Sequence, residues 1–519
     1  MMSFTGRVYR LTGFILAALM AFPQVVCAQI QGQAPAGGFD KEAYIETAEE
    51  KRLISLSLKE ALLLALEKNS EIKIARIDPK IKEEDVRKSN AEFEPTFAMD
   101  FLLQDNTVKS SSLLMGAGVS NTRYIDWNAG VSGKLVTGTE YALEFLNTRT
   151  SSNSSFQSVN PSYESEPRLS LSQPLLRGAG IGINTAGIVI AKNNQKQSRE
   201  NFITSVINVI SDVKKAYYSY LYYSAQYKIS KASLSRAIEL LKANTLRYKK
   251  GLVSSVDLLE TEASLMMRQK DLISSEFGMR RAEDELKYRT NLVDDPKAWN
   301  ASLELTDKPR PSMSDANLIQ NLQLAFENRP DYEAKKIELM SKDVQIKVAK
   351  NALFPTVDLV GSFGLNGLGG QYTKALETVG PDYKDWTVGI TLSLPWGGAE
   401  KAEYNQAILF KAQSLLELKR LEQSIVLEVR DRVRAVDLSI RQVRASSLAL
   451  EKENKNYLAQ KERYVSGQVS THDMLDYQEK LAQAESDYIR SLIDYVIAHI
   501  ALDKSVGLTL ERNQIILEA

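Results

Sequence analysis

From Trp386 to Leu394 every even position is apolar and every odd one is Thr, Gly or Ser. Val357, Leu359, Gly361, Phe363 and Leu365 alternate with Asp358, Val360, Ser362 and Gly364. Phe97, Met99, Phe101 and Leu103 do the same against Ala98, Asp100, Leu102 and Gln104, as do Trp127, Ala129, Val131, Gly133 and Leu135 with their neighbours. Period two predicts strands with one apolar and one polar face. The rest of the chain changes period. From about Asn184 to Lys249 there is no proline, and Ala, Leu, Glu, Lys and Gln dominate there, which predicts a helix of roughly 90–100 Å at about 1.5 Å per residue. The stretch from about Glu400 to Val465 is its counterpart. Helical patterns this long argue for a coiled coil or a helical array.

The order of these patterns occurs twice. Ala65-Leu66-Glu67-Lys68-Asn69 faces Ala325-Phe326-Glu327-Asn328-Arg329 at an offset of 260, which also carries Pro95-Thr96 onto Pro355-Thr356. Leu171-Ser172-Gln173-Pro174 faces Leu392-Ser393-Leu394-Pro395, and Arg247-Tyr248-Lys249-Lys250-Gly251 faces Arg463-Tyr464-Val465-Ser466-Gly467. Asn291-Leu292 faces Gly507-Leu508. Colinear anchors define one unit used twice, at 57–292 and 317–508, joined by a linker at 293–316 and followed by a tail at 509–519. Each unit runs helix, strands (96–174 or 356–395), then a helical hairpin turning near 251 or 467. The first strand region is the longer, with room for another hairpin-like pair around Thr137-Gly138-Thr139. That pair either joins the sheet, giving six strands per copy, or forms an extracellular flap.

Composition narrows the function. Lys+Arg and Asp+Glu both number 65, which removes the basic excess of a nucleic-acid binder. Two His and one Cys leave little for a metal, haem or thiol site. Arg7 and Arg10, the apolar run Leu11–Phe22 and the Val26-Cys27-Ala28 cut site read as a signal peptide at 1–28, preceding an N-terminal segment at 29–56. Lipidation of Cys27 is the alternative, though Gln24-Val25-Val26 fits it poorly. After the signal no run of 18 apolar residues occurs, so a membrane helix is not expected. The alternating strands fit either a lipid-facing barrel with a wet lumen or a half-buried soluble sheet, and the export signal and the Ser/Asn/Gly-rich stretches 106–123 and 148–166 favour the barrel. Two or four strands per unit cannot close a barrel, for which about eight is the usual minimum, so several copies must pool strands.

The doubled order, the segment Gln173-Pro174-Leu175-Leu176-Arg177-Gly178 and the two Arg-Tyr-x-x-Gly turns resemble the TolC-like outer-membrane efflux family over about residues 55–510. The resemblance implies an α+β, mostly α fold: long helical hairpins in tandem repeat forming a trimeric α-barrel, and amphipathic strands forming a shared transmembrane β-barrel. It implies an exit duct of a tripartite efflux pump or type I secretion system, in the outer membrane of a Gram-negative bacterium and extending into the periplasm. The implied partners are outer-membrane lipid, a periplasmic adaptor (membrane fusion) protein and an inner-membrane transporter of RND, ABC or MFS type. No enzyme activity, nucleic acid, cofactor or metal is expected.

By the same resemblance, Gly251, Leu252, Val253, Ser254 and Asp257 form the first hairpin tip and Tyr464, Gly467, Gln468, Val469 and Ser470 the second, both receiving the adaptor. Independently, glycine suits a tight helix–helix turn, and Ser254 and Ser470 suit helix caps. Asp473 and Asp476, three residues apart on one helix face, fall on the family's periplasmic constriction, where three copies would crowd six carboxylates, attract cations and raise some of their pKa values. Solvated acids at a helix start are the plainer explanation. One departure stands out: the family links an Asp of the first hairpin, matched by Asp257, to an Arg just after the second tip glycine, where this chain has Val469. The closed tip is therefore expected to be held differently. The tyrosines at 217, 218, 220, 222 and 223 are expected to pack between helices. A reading from another class, a soluble periplasmic coiled-coil adaptor, shares the long hairpins but not the doubled unit with amphipathic strands.

Overall fold

The structure, a computed structural model, describes residues 53–109, 118–155, 157–309 and 317–517. The signal peptide 1–28 with Cys27, most of the segment 29–56 and part of the linker 293–316 lie outside the described residues. Two compact units are present. In the smaller, a 3-10 turn at Leu292–Asp294 leads into a short helix, Pro296–Asn300, whose Lys297 N–H is capped by Asp295 Oδ1 at 3.0 Å.

The larger unit holds the doubled pattern. Helices α1 (Leu58–Lys68) and α2 (Ser70–Asn90) lead into four strands: β1 (Thr96–Lys109), β2 (Val119–Lys134), β3 (Glu140–Ser152) and β4 (Ser162–Pro174). The hairpin α3 (Ala186–Lys249) and α4 (Ser255–Arg289) follows. The second pass gives α5 (Leu318–Asn328), α6 (Pro330–Asn351), β5 (Thr356–Leu365), β6 (Lys384–Ser393), α7 (Ala399–Val465) and α8 (Thr471–Ser505). Among the described residues no helix is long and apolar enough to cross a membrane. Helix α3 has 64 residues and α7 has 67, so each runs for roughly 100 Å at about 1.5 Å per residue.

The six strands form one antiparallel sheet in the order β1-β2-β3-β4-β5-β6, with Gly367–Gly369 extending the line of β5 along β4. The extra pair is β2 and β3, inserted between β1 and β4. Its turn lies beside the β4–α3 link, on the side of the helices: the Gly180 N–H donates to Thr137 O at 3.1 Å, and a Cβ on Gly138 would sit 2.5 Å from Gly178 O. The pair therefore belongs to the sheet and is not an extracellular flap.

Register sorts the side chains. One row reads Phe97, Val131, Leu143, Leu169, Phe363, Trp386 across all six strands. The rows on either side read Ala98, Gly130, Glu144, Arg168, Gly364, Asp385 and Thr96, Ser132, Ala142, Ser170, Ser362, Thr387. Because neighbouring rows point to opposite faces, one face is apolar and the other polar. The apolar face is bare: Met99, Phe101, Val388 and Ile390 are all exposed. The polar face is hollowed by a cavity of about 790 Å³ lined by Ser132, Ser170, Ser172, Ser362 and Thr387.

Among the helices, α3 packs along α4 and α7 along α8, while α2 and α6 lie on α3 and α6 also on α7. Val429, Val436, Ile440 and Val443 of α7 form a core with Leu492 and Leu502 of α8 and Ala325 of α5. Tyr217 and Tyr220 are buried, and their hydroxyls donate to Leu56 O (3.1 Å) and Leu303 O (2.7 Å), so these tyrosines pack and pin rather than line a site. Arg329 fastens three helices, reaching Asp331 (2.8 Å), Glu428 (2.7 Å) and the Ser505 carbonyl (3.0 Å).

Candidate functional site

Both hairpin tips are built on one backbone device. Gly251 has φ +69° and Gly467 φ +73°. At the first tip the Gly251 N–H donates to Tyr248 O (2.9 Å) and the Leu252 N–H to Arg247 O (2.9 Å). At the second, Gly467 donates to Tyr464 O (3.1 Å) and Gln468 to Arg463 O (2.9 Å). These paired bonds close each helix as a Schellman motif, whose left-handed residue favours glycine. Ser254 and Ser470 then open α4 and α8, their hydroxyls accepting from Asp257 N–H and Asp473 N–H, both at 3.1 Å. Each serine hydroxyl also donates to the aspartate carboxylate at 2.6 Å. These hydrogen bonds hold the Asp257 and Asp473 carboxyls below the usual carboxylate range. Leu252, Gln468 and the two glycines are exposed, whereas Val253 and Val469 are half-buried.

The two tips differ in what they touch. Tyr464 is buried, while its counterpart in the repeat, Tyr248, is exposed. The Tyr464 hydroxyl donates to Asn244 Oδ1, and Asn244 is itself fully buried. Asn244 Nδ2 donates to Thr261 Oγ1 (2.8 Å) and reaches Thr471 Oγ1 (3.4 Å), and Thr261 donates on to Asp257 O (2.7 Å). Thr471 also helps to hold the Asp257 carboxyl below the usual range. Arg247 lies 4.5 Å above the Tyr464 ring and donates to the carbonyls of Tyr464 (2.8 Å) and Val465 (3.1 Å) at the end of α7. One polar cluster thus joins all four tip helices, sealed on one side by Leu240, Tyr457, Met474 and Leu481. At the end of α7 the bridging cation is Arg247 of the first tip, not a residue at the position of Val469 in the second. Asn244 and Thr261 carry no signature in the sequence. Arg247 was visible only as part of a repeated motif.

Asp473 and Asp476 lie exposed on the face of α8 opposite buried Met474 and Gln478. They do not share a partner. Asp473 is tied to Ser470, and Asp476 accepts from Lys480 at 2.7 Å, which raises the lysine pKa. His472 is exposed, with Nδ1 3.9 Å from Glu260 Oε2 across the two hairpins. Among the described residues no His/Cys/Asp/Glu group is placed to hold a metal.

The profile of the outer membrane efflux protein family matches residues 142–289 and 321–508, the later strands and hairpin of the first copy and nearly all of the second. The chain belongs to the outer membrane efflux protein family. Like its family, it is an outer-membrane protein, and the family is one of channel proteins rather than enzymes. It is similar to the outer membrane protein TolC of Escherichia coli, 23% identical over 53% of this chain and 57% of TolC. It is also similar to the pyoverdine export outer membrane protein OpmQ of Pseudomonas aeruginosa, 20% identical over 79% of this chain and 85% of OpmQ. The match to TolC thus spans little more than half of that relative. In fold, the chain superposes on the CmeC outer membrane channel of Campylobacter jejuni with a TM-score of 0.65 at 18% identity, covering 87% of this chain and 86% of CmeC. This efflux-family fold is the mostly α arrangement of long hairpins with an amphipathic sheet that the resemblance implied.

Proposed function

We propose that this chain is the passive exit duct of a tripartite efflux pump or type I secretion system, working as a homotrimer that carries small molecules or proteins across the outer membrane. The observation that carries the reading is the sheet, which has one bare apolar face, one polar concave face and strands too few to close alone. Lipid covers the first face and water fills the second only if several copies complete the wall. Unpartnered apolar side chains along the helices, such as Leu259, Met266, Ile273 and Phe277 of α4, support close packing of copies there too. The four-helix tip is the entrance. Gly251, Leu252, Val253, Ser254 and Asp257, with Tyr464, Gly467, Gln468, Val469 and Ser470, form the surface for a periplasmic adaptor, which in turn engages an inner-membrane transporter. Asp473 and Asp476 face the axis as the constriction. Docking favours the splayed tip by binding it better than the closed one.

The test is reconstitution. Detergent-purified protein should have the mass of a trimer and conduct in planar bilayers. Asp473→Asn with Asp476→Asn should reduce block by multivalent cations added on the tip side. Monomeric material, or protein soluble without detergent, overturns the duct. Unchanged block in a conducting trimer removes the two aspartates from the constriction.

A further inference from the structure

The sheet ends in two open edges, the outer side of β1 and the outer side of β6. Every other strand edge is paired, including the edge of β3, which β2 occupies along its length. A strand edge left bare in lipid leaves its N–H and C=O groups without partners, and a membrane sheet escapes this only by closing on itself. On the trimer reading above, we propose that β6 of each copy pairs antiparallel with β1 of the next, closing a barrel of eighteen strands in which Ser393 lies opposite Asp100 of the neighbouring copy.

The register follows from the internal repeat. Strand β4 corresponds to β6 through Leu171-Ser172-Gln173-Pro174 and Leu392-Ser393-Leu394-Pro395, and β5 corresponds to β1 through Pro355-Thr356 and Pro95-Thr96. The β4–β5 pairing inside one chain sets Ser172 against Val360. Carried through the two correspondences, that pair becomes Ser393 against Asp100.

Two features agree with this register, and a third agrees with the antiparallel pairing itself. First, the faces match, because Leu392 meets Phe101 and Ile390 meets Leu103 on the lipid side, while Ser393 and Asp100 stay on the polar side. A slip of one residue would put apolar side chains in water along the whole seam. Second, the outer strand ends meet, with Lys384, the first residue of β6, level with Lys109, the last of β1. The two ammonium groups are the one unfavourable pairing, and they fall at the strand ends, where headgroups and water reach them. Third, strand direction alternates throughout. Successive strands within a copy are antiparallel, so with six per copy the next β1 again runs opposite to β6 and no parallel pair is forced.

The consequence is width. Strands spaced about 4.8 Å apart and tilted about 40° give a backbone diameter of about 36 Å for eighteen strands, against about 24 Å for twelve. The inserted pair β2–β3 is what widens the mouth, and it suits a bulkier cargo than a four-stranded copy would pass.

The experiment is a cysteine cross-link in the full-length chain. Asp100→Cys with Ser393→Cys, both facing the wet lumen, should place most of the protein in a covalent trimer after mild oxidation, reversed by reductant. Either substitution alone should give none, which also controls for Cys27. Asp100→Cys with Thr391→Cys, two residues out of register, should link far less. A native trimer in which the first pair fails to link overturns the seam while leaving the duct intact. Stronger linking by the second pair overturns the register. Native material found only as monomer fails the duct reading itself.

Discussion

Asn244→Ala is the sharpest probe of the tip. Asn244 is fully buried and is the acceptor of the buried Tyr464 hydroxyl. Truncation leaves that hydroxyl without a partner, at a cost of about 1–3 kcal/mol. Thr261 keeps its bond to Asp257 O, so it adds no second full penalty. The closed tip carries this cost and a splayed tip, where water reaches Tyr464, does not. At about 1.4 kcal/mol per tenfold, the open-to-closed ratio should rise by roughly 5- to 150-fold. Single-channel recording in planar bilayers should show longer and more frequent openings, and amide exchange should quicken around 464–478. Tyr464→Phe should act in the same direction by orphaning Asn244 Oδ1. The double variant should fall short of the summed effects by about 1 kcal/mol, because both changes remove one bond. Unchanged openings in an intact trimer, or full additivity, would refute the claim that this cluster holds the entrance shut.

Three further outcomes follow from the same structure. Gly507→Ala should lower the urea midpoint far more than Gly467→Ala: both glycines have positive φ, but a Cβ at 507 would lie 2.5 Å from Asn328 O, whereas at 467 it meets nothing, leaving only the backbone penalty of about 1 kcal/mol. Asp257 and Asp473 have folded pKa values below the unfolded value of about 4, so their capping contribution is present above that pH and is lost as pH falls through the folded values; amide exchange at 254–258 and 470–474, corrected for intrinsic rate, should rise only in that acid range. Arg329→Met should destabilise the fold by about 3 kcal/mol in denaturant titration, because it strands Glu428 and Asp331 in partly buried positions, and Arg329→Lys should recover only part of the loss.

The elements themselves were legible because their signals are periodic. Alternation through 386–394 fixed which side chains share a face, and the proline-free stretch after Asn184 fixed a long helix. The two tip turns were legible because a left-handed residue between helices narrows the choice to glycine. Pairing was not legible. Alternation assigns faces but says nothing of which strand lies beside which, so the place of β2 and β3 between β1 and β4 needed the ladder itself. The tip cluster was hidden for another reason. Tyr248 and Tyr464 stand in the same motif, yet only one is buried, and Asn244 is a single polar residue on a helix with many. Which of two equivalent positions turns inward depends on the neighbouring helix, not on the local sequence.

That contrast bears on how a duplicated chain makes a duct with one entrance. At the sheet, the repeat is kept: β4 meets β5 in a register that carries over to β6 and the next β1, so six strands continue one smooth wall. At the tips the repeat is broken. Arg247 reaches across to the carbonyls of Tyr464 and Val465, while its equivalent, Arg463, stays exposed and binds Gln460 Oε1 at 3.3 Å on its own helix. A wall gains from equivalent contacts, because each seam then closes at the same stagger. An entrance gains from unequal ones, because the second tip is held by Asn244 and Arg247 of the first without a matching contact in return from Arg463, while Arg236–Glu485, Arg268–Glu479 and Lys461–Glu239 tie the hairpins further along. The second hairpin, α7 and α8, is the one so held, and it also carries Asp473 and Asp476. On the proposed reading, the element that swings and the constriction are the same piece of chain, so weakening Asn244 should widen the entrance without loosening the strand seam.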